Sequence, residues 1–328
     1  MAFLTIAVPT YNRADNLELL LRTLVAELGE LGNEVHIVVA DNASTDRTPA
    51  VIAEFAKAWP ELTAVRQTIN RGLDENFYSC FEAAQSTYFW LIGDDDLPKA
   101  GVIAKLLQVL REHQPDLVSL GSEWVPMIKG ASQGKAVRAL VPHAVDRLEF
   151  AREVNVWMTF ISGMVINRDL FIAHHPLSSI RQGMGTYLIQ MGWIFPVLAA
   201  GERFVVLRET CVLATSGNTG GYRLMTVFGV NFPKIARSIL GEKSPEAQAI
   251  IQRTLFGFLP GLAWNAKRGT IGNFLKEDAW PELRTSLGQY PIFWLILFPI
   301  MRWPRPIALL WYVGARILAK VLRWIGLR

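Results

Sequence analysis

Four short apolar runs, separated by three segments with helical spacing, occupy the first hundred residues and constrain the fold more than any other feature of the chain. Leu4 to Val8 leads through Pro9, Thr10, Tyr11, Asn12 and Arg13 into Ala14 to Leu28, where Leu17, Leu20, Leu21, Leu24 and Leu28 recur at helical intervals. Val35 to Ala40 ends in Asp41, and Asn42 to Asp46 with Thr48-Pro49 opens a helical segment to Trp59. Leu62 to Val65 is a third strand, Asn70-Arg71-Gly72 a loop, and Leu73 to Ser86 a third helix. The fourth run, Tyr88 to Ile92, breaks off into Gly93, three consecutive carboxylates at Asp94, Asp95 and Asp96, then Leu97-Pro98. This alternation has the spacing of right-handed βαβ crossovers and predicts an α/β fold, a mostly parallel Rossmann-like sheet with helices on both faces.

In such sheets ligands lie beyond the carboxyl ends of the strands. Pro9-Thr10, Asp41-Asn42, Asn70-Arg71-Gly72 and Asp94 to Asp96 all fall at those ends, so four polar clusters converge on one rim. Adjacent aspartates repel one another, which points to a positive partner, an oxygen-seeking divalent cation bound together with phosphates. Taken singly, each cluster has an ordinary reading: Asp96 as a cap ahead of Pro98, Ser44 or Asp46 as a helix cap, Asn70 to Gly72 as a turn. Their shared placement carries the functional argument. No glycine-rich phosphate loop follows the first strand, which argues against a dinucleotide or P-loop site.

The stretches Ile6 to Arg13, Val38 to Thr48, Asn70 to Gly72 and Gly93 to Asp96 together resemble glycosyltransferase family 2 on a GT-A fold, in particular bacterial O-antigen and polysaccharide transferases of the abequosyltransferase-like kind. The likeness is strong over roughly the first hundred residues, weak to about residue 215 and absent beyond. It implies transfer of a sugar from a nucleotide-sugar donor with inversion, assisted by Mg²⁺ or Mn²⁺. By the same resemblance Pro9, Thr10, Tyr11, Arg13, Asp41, Asn70, Arg71, Gly72, Asp94 and Asp95 would bind the donor, with Asp41 accepting a hydrogen bond from a base N–H. Asp96 and Asp94 would hold the metal, which would neutralise charge on the departing diphosphate.

Asp116 to Trp124 reads as a fifth strand, residues 128–138 with Gly130, Ser132, Gln133 and Gly134 as a loop, and Asp146 to Val154 as a helix. Phe160 to Asn167 resembles the family's strand below the acceptor pocket, followed by a helix start at Arg168-Asp169. Relatives carry an acidic pair, one member the general base, where this chain has Gly183 to Trp193 without an acid. An inverting transfer needs a proton acceptor. Asp146, Glu149, His174 and His175 are the leading candidates, with Asp169 and Glu209 behind them. Tyr187 and Trp193 read either as a sugar platform or as core.

Of 328 residues 51% are apolar, and the two cysteines, far apart, suit a reducing compartment. An N-terminus without basic residues reads as a first strand, not a signal peptide. The expected division is a catalytic domain over 1–215 and a helical region over 216–328. Tyr222 to Leu240 and Ala247 to Trp264 look helical, broken at Gly241 to Pro245. From Pro291 to Arg328 there are six Arg or Lys and no acid. Pro291 to Ile300 is too short to span a bilayer. Residues 307–327 repeat Arg316, Lys320 and Arg323 against Trp311, Leu318, Leu322 and Ile325, the pattern of a basic helix lying on anionic lipid.

The sequence therefore predicts a metal-dependent inverting glycosyltransferase, peripheral on the cytoplasmic face of the bacterial inner membrane, that extends a polyprenyl-diphosphate-linked glycan. It would bind an anionic membrane surface through 291–328, would not bind nucleic acid, and has the option of oligomerising. The rivals are a sugar nucleotidyltransferase, which should carry a glycine-rich loop after its first strand, and a noncatalytic membrane-bound scaffold.

Overall fold

A computed structural model describes residues 2–29, 31–126, 135–216, 221–270, 272 and 274–324. Most of the loop expected over 128–138, with Gly130, Ser132, Gln133 and Gly134, lies outside the described residues, as does Ile325. The chain forms two compact units, residues 1–147 with 157–217 and residues 148–156 with 218–328.

In the first unit the alternation read from the sequence is realised as β1 (Leu4–Thr10), α1 (Ala14–Leu28), β2 (Val35–Asp41), α2 (Thr48–Ala58), β3 (Leu62–Arg66), α3 (Leu73–Ala83) and β4 (Tyr88–Leu91). Strands β3, β2, β1 and β4 lie side by side, all parallel. Leu17, Leu20, Leu21, Leu24 and Leu28 of α1 are fully buried in the core with Ile6, Val8, Ile37 and Val39. Each such leucine contributes roughly 1.5–3 kcal/mol of burial, so the helical face and the strand faces fix one another.

Beyond β4 the sheet becomes mixed. After β5 (Leu97–Pro98), α4 (Val102–His113), β6 (Leu117–Val125), β7 (His143–Val145) and α5 (Arg147–Val154), the chain makes β8 (Met164–Asn167), α6 (Arg168–His174), α7 (Met191–Ala200) and β9 (Phe204–Thr215). Strand order is β3-β2-β1-β4-β8-β6-β9-β5, with β7 on β9. β8 is antiparallel to both β4 and β6, while β9 is parallel to β6 and antiparallel to β5. The start of β8 and the ends of β6 and β9 therefore reach the same rim as the carboxyl ends of β1, β2 and β4.

The second unit is helical. Segments 224–240 and 245–268 each contain a π turn, at Val227–Asn231 and Thr254–Phe258. Gly241 (φ 101°) ends the first, and the Ser244 hydroxyl accepts from the Ala247 N–H at 3.1 Å to cap the second. Their buried faces pack with Leu283, Leu287, Phe293, Leu297 and Ile300. Pro304 separates Phe298–Arg302 from the final helix, Arg305–Trp324. Among the described residues no helix is long and apolar enough to cross a membrane. The side chains of Leu322 and Arg323 lie outside the described residues.

Candidate active site

The rim is built on the end of β4. The Ile92 N–H still pairs with the Ala7 carbonyl at 2.9 Å, after which Gly93 to Asp96 turn, the Asp96 N–H closing on the Gly93 carbonyl at 3.1 Å. Asp94 and Asp96 are each only 5% exposed. Asp94 accepts from the Thr10 hydroxyl at 2.8 Å and from Arg13 Nη1 at 3.0 Å; the same nitrogen reaches Asp95 Oδ2 at 2.9 Å. Asp96 accepts from the Ser162 hydroxyl at 2.6 Å and the Thr215 N–H at 2.9 Å, and the Thr215 hydroxyl donates to the Asp95 carbonyl at 2.6 Å. Ser162 is itself fixed, its Oγ accepting from the Gly93 N–H at 2.9 Å and its carbonyl from Trp90 Nε1 at 2.9 Å.

Burial pushes the Asp94 carboxyl up to about 6, against the pull of Arg13, and Asp96 up to about 7, against Ser162 and Thr215. Arg13 pairs with Asp94 and Asp95 while Asp96 is held by neutral donors, so the deprotonated cluster is an all-oxygen donor set with an excess of negative charge, the chemistry Mg²⁺ or Mn²⁺ selects. A Cβ at Gly93 would lie 3.1 Å from Asp95 Oδ1 and 3.2 Å from Asp96 Oδ2, so any larger residue would crowd both carboxylates and glycine leaves them their place beside the turn. Among the described residues no three His, Cys, Asp or Glu side chains are grouped tightly enough to hold a metal by themselves. The carboxylates fit a cation completed by ligands from outside the chain, such as phosphate oxygens.

The strand ends beside β4 supply the other half. Asp41, 1% exposed, accepts from the Ser44 N–H through Oδ1 at 2.9 Å. Its Oδ2 has no hydrogen-bond donor among the described residues, the nearest charge being Arg66 Nε at 3.4 Å. A buried carboxylate oxygen left in this state is poised to accept from a ligand N–H. Asn42 ties the rim together: its Nδ2 donates to Asn70 Oδ1 at 2.9 Å and the Gly72 carbonyl at 3.1 Å, and its Oδ1 accepts from the Arg71 N–H at 2.9 Å. Asn76 Nδ2 bridges the carbonyls of Ala40, at 3.0 Å, and Thr10, at 3.3 Å. Pro9 is buried in β1, while Tyr11, 42% exposed, projects just past its end. Arg71 is exposed, 4.0 Å from Glu75, which Arg181 grips with two bonds of 3.0 Å. All four polar clusters expected at the rim are there together.

Of the proton acceptors read from the sequence, Asp146, Asp169 and the His174-His175 pair are not gathered there. Asp146 follows β7, which pairs with the Phe204 end of β9, the end opposite Thr215 and its bond to Asp96. Asp169 begins α6 against the Thr87 carbonyl, at the opposite edge of β4 from the carboxylates. His175 stacks on Phe171, ring centroids 5.4 Å apart, and Phe171 packs on Phe81 in the last turn of α3, which keeps the His174-His175 pair toward that opposite edge. Glu149 falls in the second unit. Glu209 lies midway along β9. Trp193 is core, 2% exposed and stacked on Phe81 at 4.7 Å, so it offers no face to a sugar.

Three contributors went unread. Ser162 and Thr215 reach the carboxylates across 66 and 119 residues of chain; only the polar Ser-Gly step inside the apolar run after Phe160 hinted at the first. Asp74, in the first turn of α3, accepts from the Tyr187 N–H at 3.1 Å. Burial raises its pKa, opposed by the N–H groups of Tyr187, Gly185, Ile189 and Thr186 turned toward it. Tyr187 is held there at φ 59°, in the left-handed region, 41% exposed, within the stretch where the acidic pair was expected.

Residues 5–164 match the profile described as Glycosyl transferase family 2. Abequosyltransferase RfbV of Salmonella typhimurium is 30% identical over 115 residues, covering 35% of this chain and 34% of that protein. Dolichol-phosphate mannosyltransferase of Pyrococcus furiosus is 30% identical over 121 residues, 37% of this chain and 33% of that protein. The chain thus spans about a third of the length of the curated relatives it matches. In three dimensions it is similar to S. aureus TarS 1–349, with a TM-score of 0.60 at 17% identity over 97% of this chain and 91% of that one, and so has the GT-A fold. A mannosyltransferase from Pyrobaculum calidifontis, solved with GDP-Man and Mn²⁺, aligns with a TM-score of 0.53 at 16% identity over 96% of this chain and 86% of that one.

Proposed function

We propose, starting from the membership of residues 5–164 in glycosyl transferase family 2, that this chain is an inverting, metal-dependent glycosyltransferase. It moves a sugar from a nucleotide-sugar donor to a polyprenyl-diphosphate-linked glycan in bacterial surface polysaccharide synthesis. The observation that carries the reading is the meeting of Thr10, Arg13, Asp41 and the three carboxylates at one sheet rim, with a buried Asp41 oxygen that is ion-paired with Arg66 but accepts no hydrogen bond among the described residues.

In this reading Asp41 Oδ2 accepts the base N–H, and Pro9 and Tyr11 flank base and ribose. Asn70, Arg71 and Gly72 close the donor side, and Asp94, steadied by Thr10 and Arg13, orients the ribose. Asp94 and Asp96 remain the metal ligands of this reading, and Asp95 Oδ1, which lies beside Gly93 near Asp96 Oδ2, joins them as a third candidate. When bound there, Mg²⁺ or Mn²⁺ supplies Lewis-acid stabilisation of the departing diphosphate. Arg13, fixed by its two ion pairs, adds positive charge that needs no reorganisation. The acceptor hydroxyl oxygen bonds to the anomeric carbon as the bond to the diphosphate breaks on the other face; the nucleoside diphosphate leaves and the hydroxyl proton passes to solvent.

A lipid acceptor is supported by the relative named for dolichol phosphate and by the final helix. Ile307, Leu310, Val313, Ile317 and Leu318 are exposed on it together with Arg316 and Lys320, which suits peripheral binding to anionic lipid on the cytoplasmic face of the inner membrane. The test supplies a panel of nucleotide sugars with Mn²⁺ and bacterial lipid-linked glycans, then follows label into the lipid fraction. One donor should be consumed, and only with the metal. Folded protein that consumes none would instead be the noncatalytic scaffold.

A further inference from the structure

On the far side of the carboxylates from Asp41, two tryptophans stand half out of the protein. Trp124, in β6, and Trp157, in the 3₁₀ turn Asn155–Thr159, are each 50% exposed, their rings 6.3 Å apart and tilted by 48°. Phe160 completes the group, 5.0 Å from Trp124 and tilted by 45°. Two independent routes fasten these rings to the site. Trp124 is in register with Ala214, next to Thr215, whose N–H holds Asp96 at 2.9 Å. Phe160 is two residues before Ser162, whose hydroxyl holds the same carboxylate at 2.6 Å. A Cβ at Gly163 would come within 2.8 Å of Phe160 Cδ1, so glycine there lets the Phe160 ring seat against the backbone beside Ser162.

We propose that Trp124, Trp157 and Phe160 form an acceptor subsite that takes one pyranose ring of the glycan; this rests on the glycosyltransferase reading. Single exposed aromatics need no explanation, but a cluster tied to the catalytic rim does. The donor's base and ribose belong to the polar β1–β2 side, which leaves the β6–β8 side for the second substrate. A pyranose has an apolar C–H face edged by hydroxyls, and rigid indole faces bury such a surface at low entropic cost. The two rings touch each other, centroids 6.3 Å apart, and the exposed half of each offers a rigid face on which one pyranose ring can lie.

The experiment is saturation-transfer NMR on the full chain with methyl pyranosides of mannose, galactose, glucose and rhamnose, and with citronellyl phosphate as the prenyl probe. Ring protons of at least one glycoside should receive saturation, Trp124→Ala and Trp157→Ala should each weaken that contact about tenfold, and Trp124→Phe should retain most of it. The same variants should bind nucleotide with Mn²⁺ as the wild type does, which also shows that they are folded; Trp157→Leu replaces Trp157→Ala if the latter is not. No glycoside contact in the wild type, contact unchanged in both alanine variants, or ring-dependent contact with citronellyl phosphate alone would overturn the subsite. Glycoside contact without any nucleotide binding would instead overturn the donor side of the glycosyltransferase reading and leave the subsite standing.

Discussion

Arg13 Nη1 lies 3.0 Å from Asp94 Oδ1 and 2.9 Å from Asp95 Oδ2, so a single nitrogen bridges two neighbouring carboxylates on the rim. The pair brings the end of β1 to the end of β4 across 81 residues and orients the acidic cluster before any substrate arrives.

Removing that charge should expose the repulsion it relieves. Arg13→Ala is expected to cost roughly 2 kcal/mol, less than a fully buried pair would, because 32% of the Arg13 side chain is exposed. Thermal melts in EDTA should show a lower midpoint, and Mn²⁺ should raise it more in the variant than in the wild type. An unchanged midpoint would mean the ion pairs contribute nothing to the folded rim.

The carboxylates give the site a pH signature. Asp94, pushed up to about 6, and Asp96, pushed up to about 7, both sit above an unfolded aspartate at about 3.9. In metal-free protein they therefore contribute stability that is fully present below about pH 4 and is lost as pH rises through about 7. Metal binding runs the other way, since it needs the deprotonated forms. The rise in melting temperature on adding Mn²⁺ should be small at pH 5.5 and larger at pH 8, and Asp96→Asn should flatten that trend. A metal effect equal at both pH values would contradict it.

Asp41 offers a cleaner substitution. Asp41→Asn keeps the size of a side chain that is 1% exposed but puts a donor where the ligand N–H should find an acceptor. Loss of a hydrogen bond to a charged group is worth about 1.5–3 kcal/mol, so nucleotide affinity by calorimetry should fall at least tenfold, with the melting curve little changed. Equal affinity would remove Asp41 from the donor site.

For the final helix, reversing Arg316 and Lys320 to Glu should loosen attachment to vesicles containing anionic lipid. At about 1 kcal/mol per basic residue, the double reversal should reduce partitioning by more than tenfold, and 0.5 M salt should do much the same to the wild type. Binding that ignores both charge and salt would point to burial of Ile307, Leu310 and Ile317 against another protein surface.

The parallel half of the sheet was legible because its information is local. Leu17 to Leu28 declare a helix face, Val35 to Ala40 a buried strand, and Asp41 and Asp94 to Asp96 mark where strands stop. The mixed half was not, because its information is in distant pairings. Two-residue β5 has no periodicity to read, and only its pairing with Leu213 and Val212 sets Thr215 over Asp96. Trp193 shows the limit of residue type alone: the same indole that would stack on a sugar is stacked on Phe81, and among the described residues the most exposed tryptophans are Trp124 and Trp157. The acids and histidines proposed as bases were chosen by chemistry, and strand direction separates Asp146, Asp169 and His174 from the carboxylate rim.

The most direct measurement is calorimetric titration of the full chain with UDP-, GDP- and dTDP-sugars, each with Mn²⁺ and with EDTA. One donor class should bind with Mn²⁺, lose most of its affinity in EDTA, and fail to bind Asp41→Asn. Folded protein that binds none of them, or that binds one equally well in EDTA and in Asp41→Asn, would contradict the assignment of this rim to a metal and a nucleotide sugar.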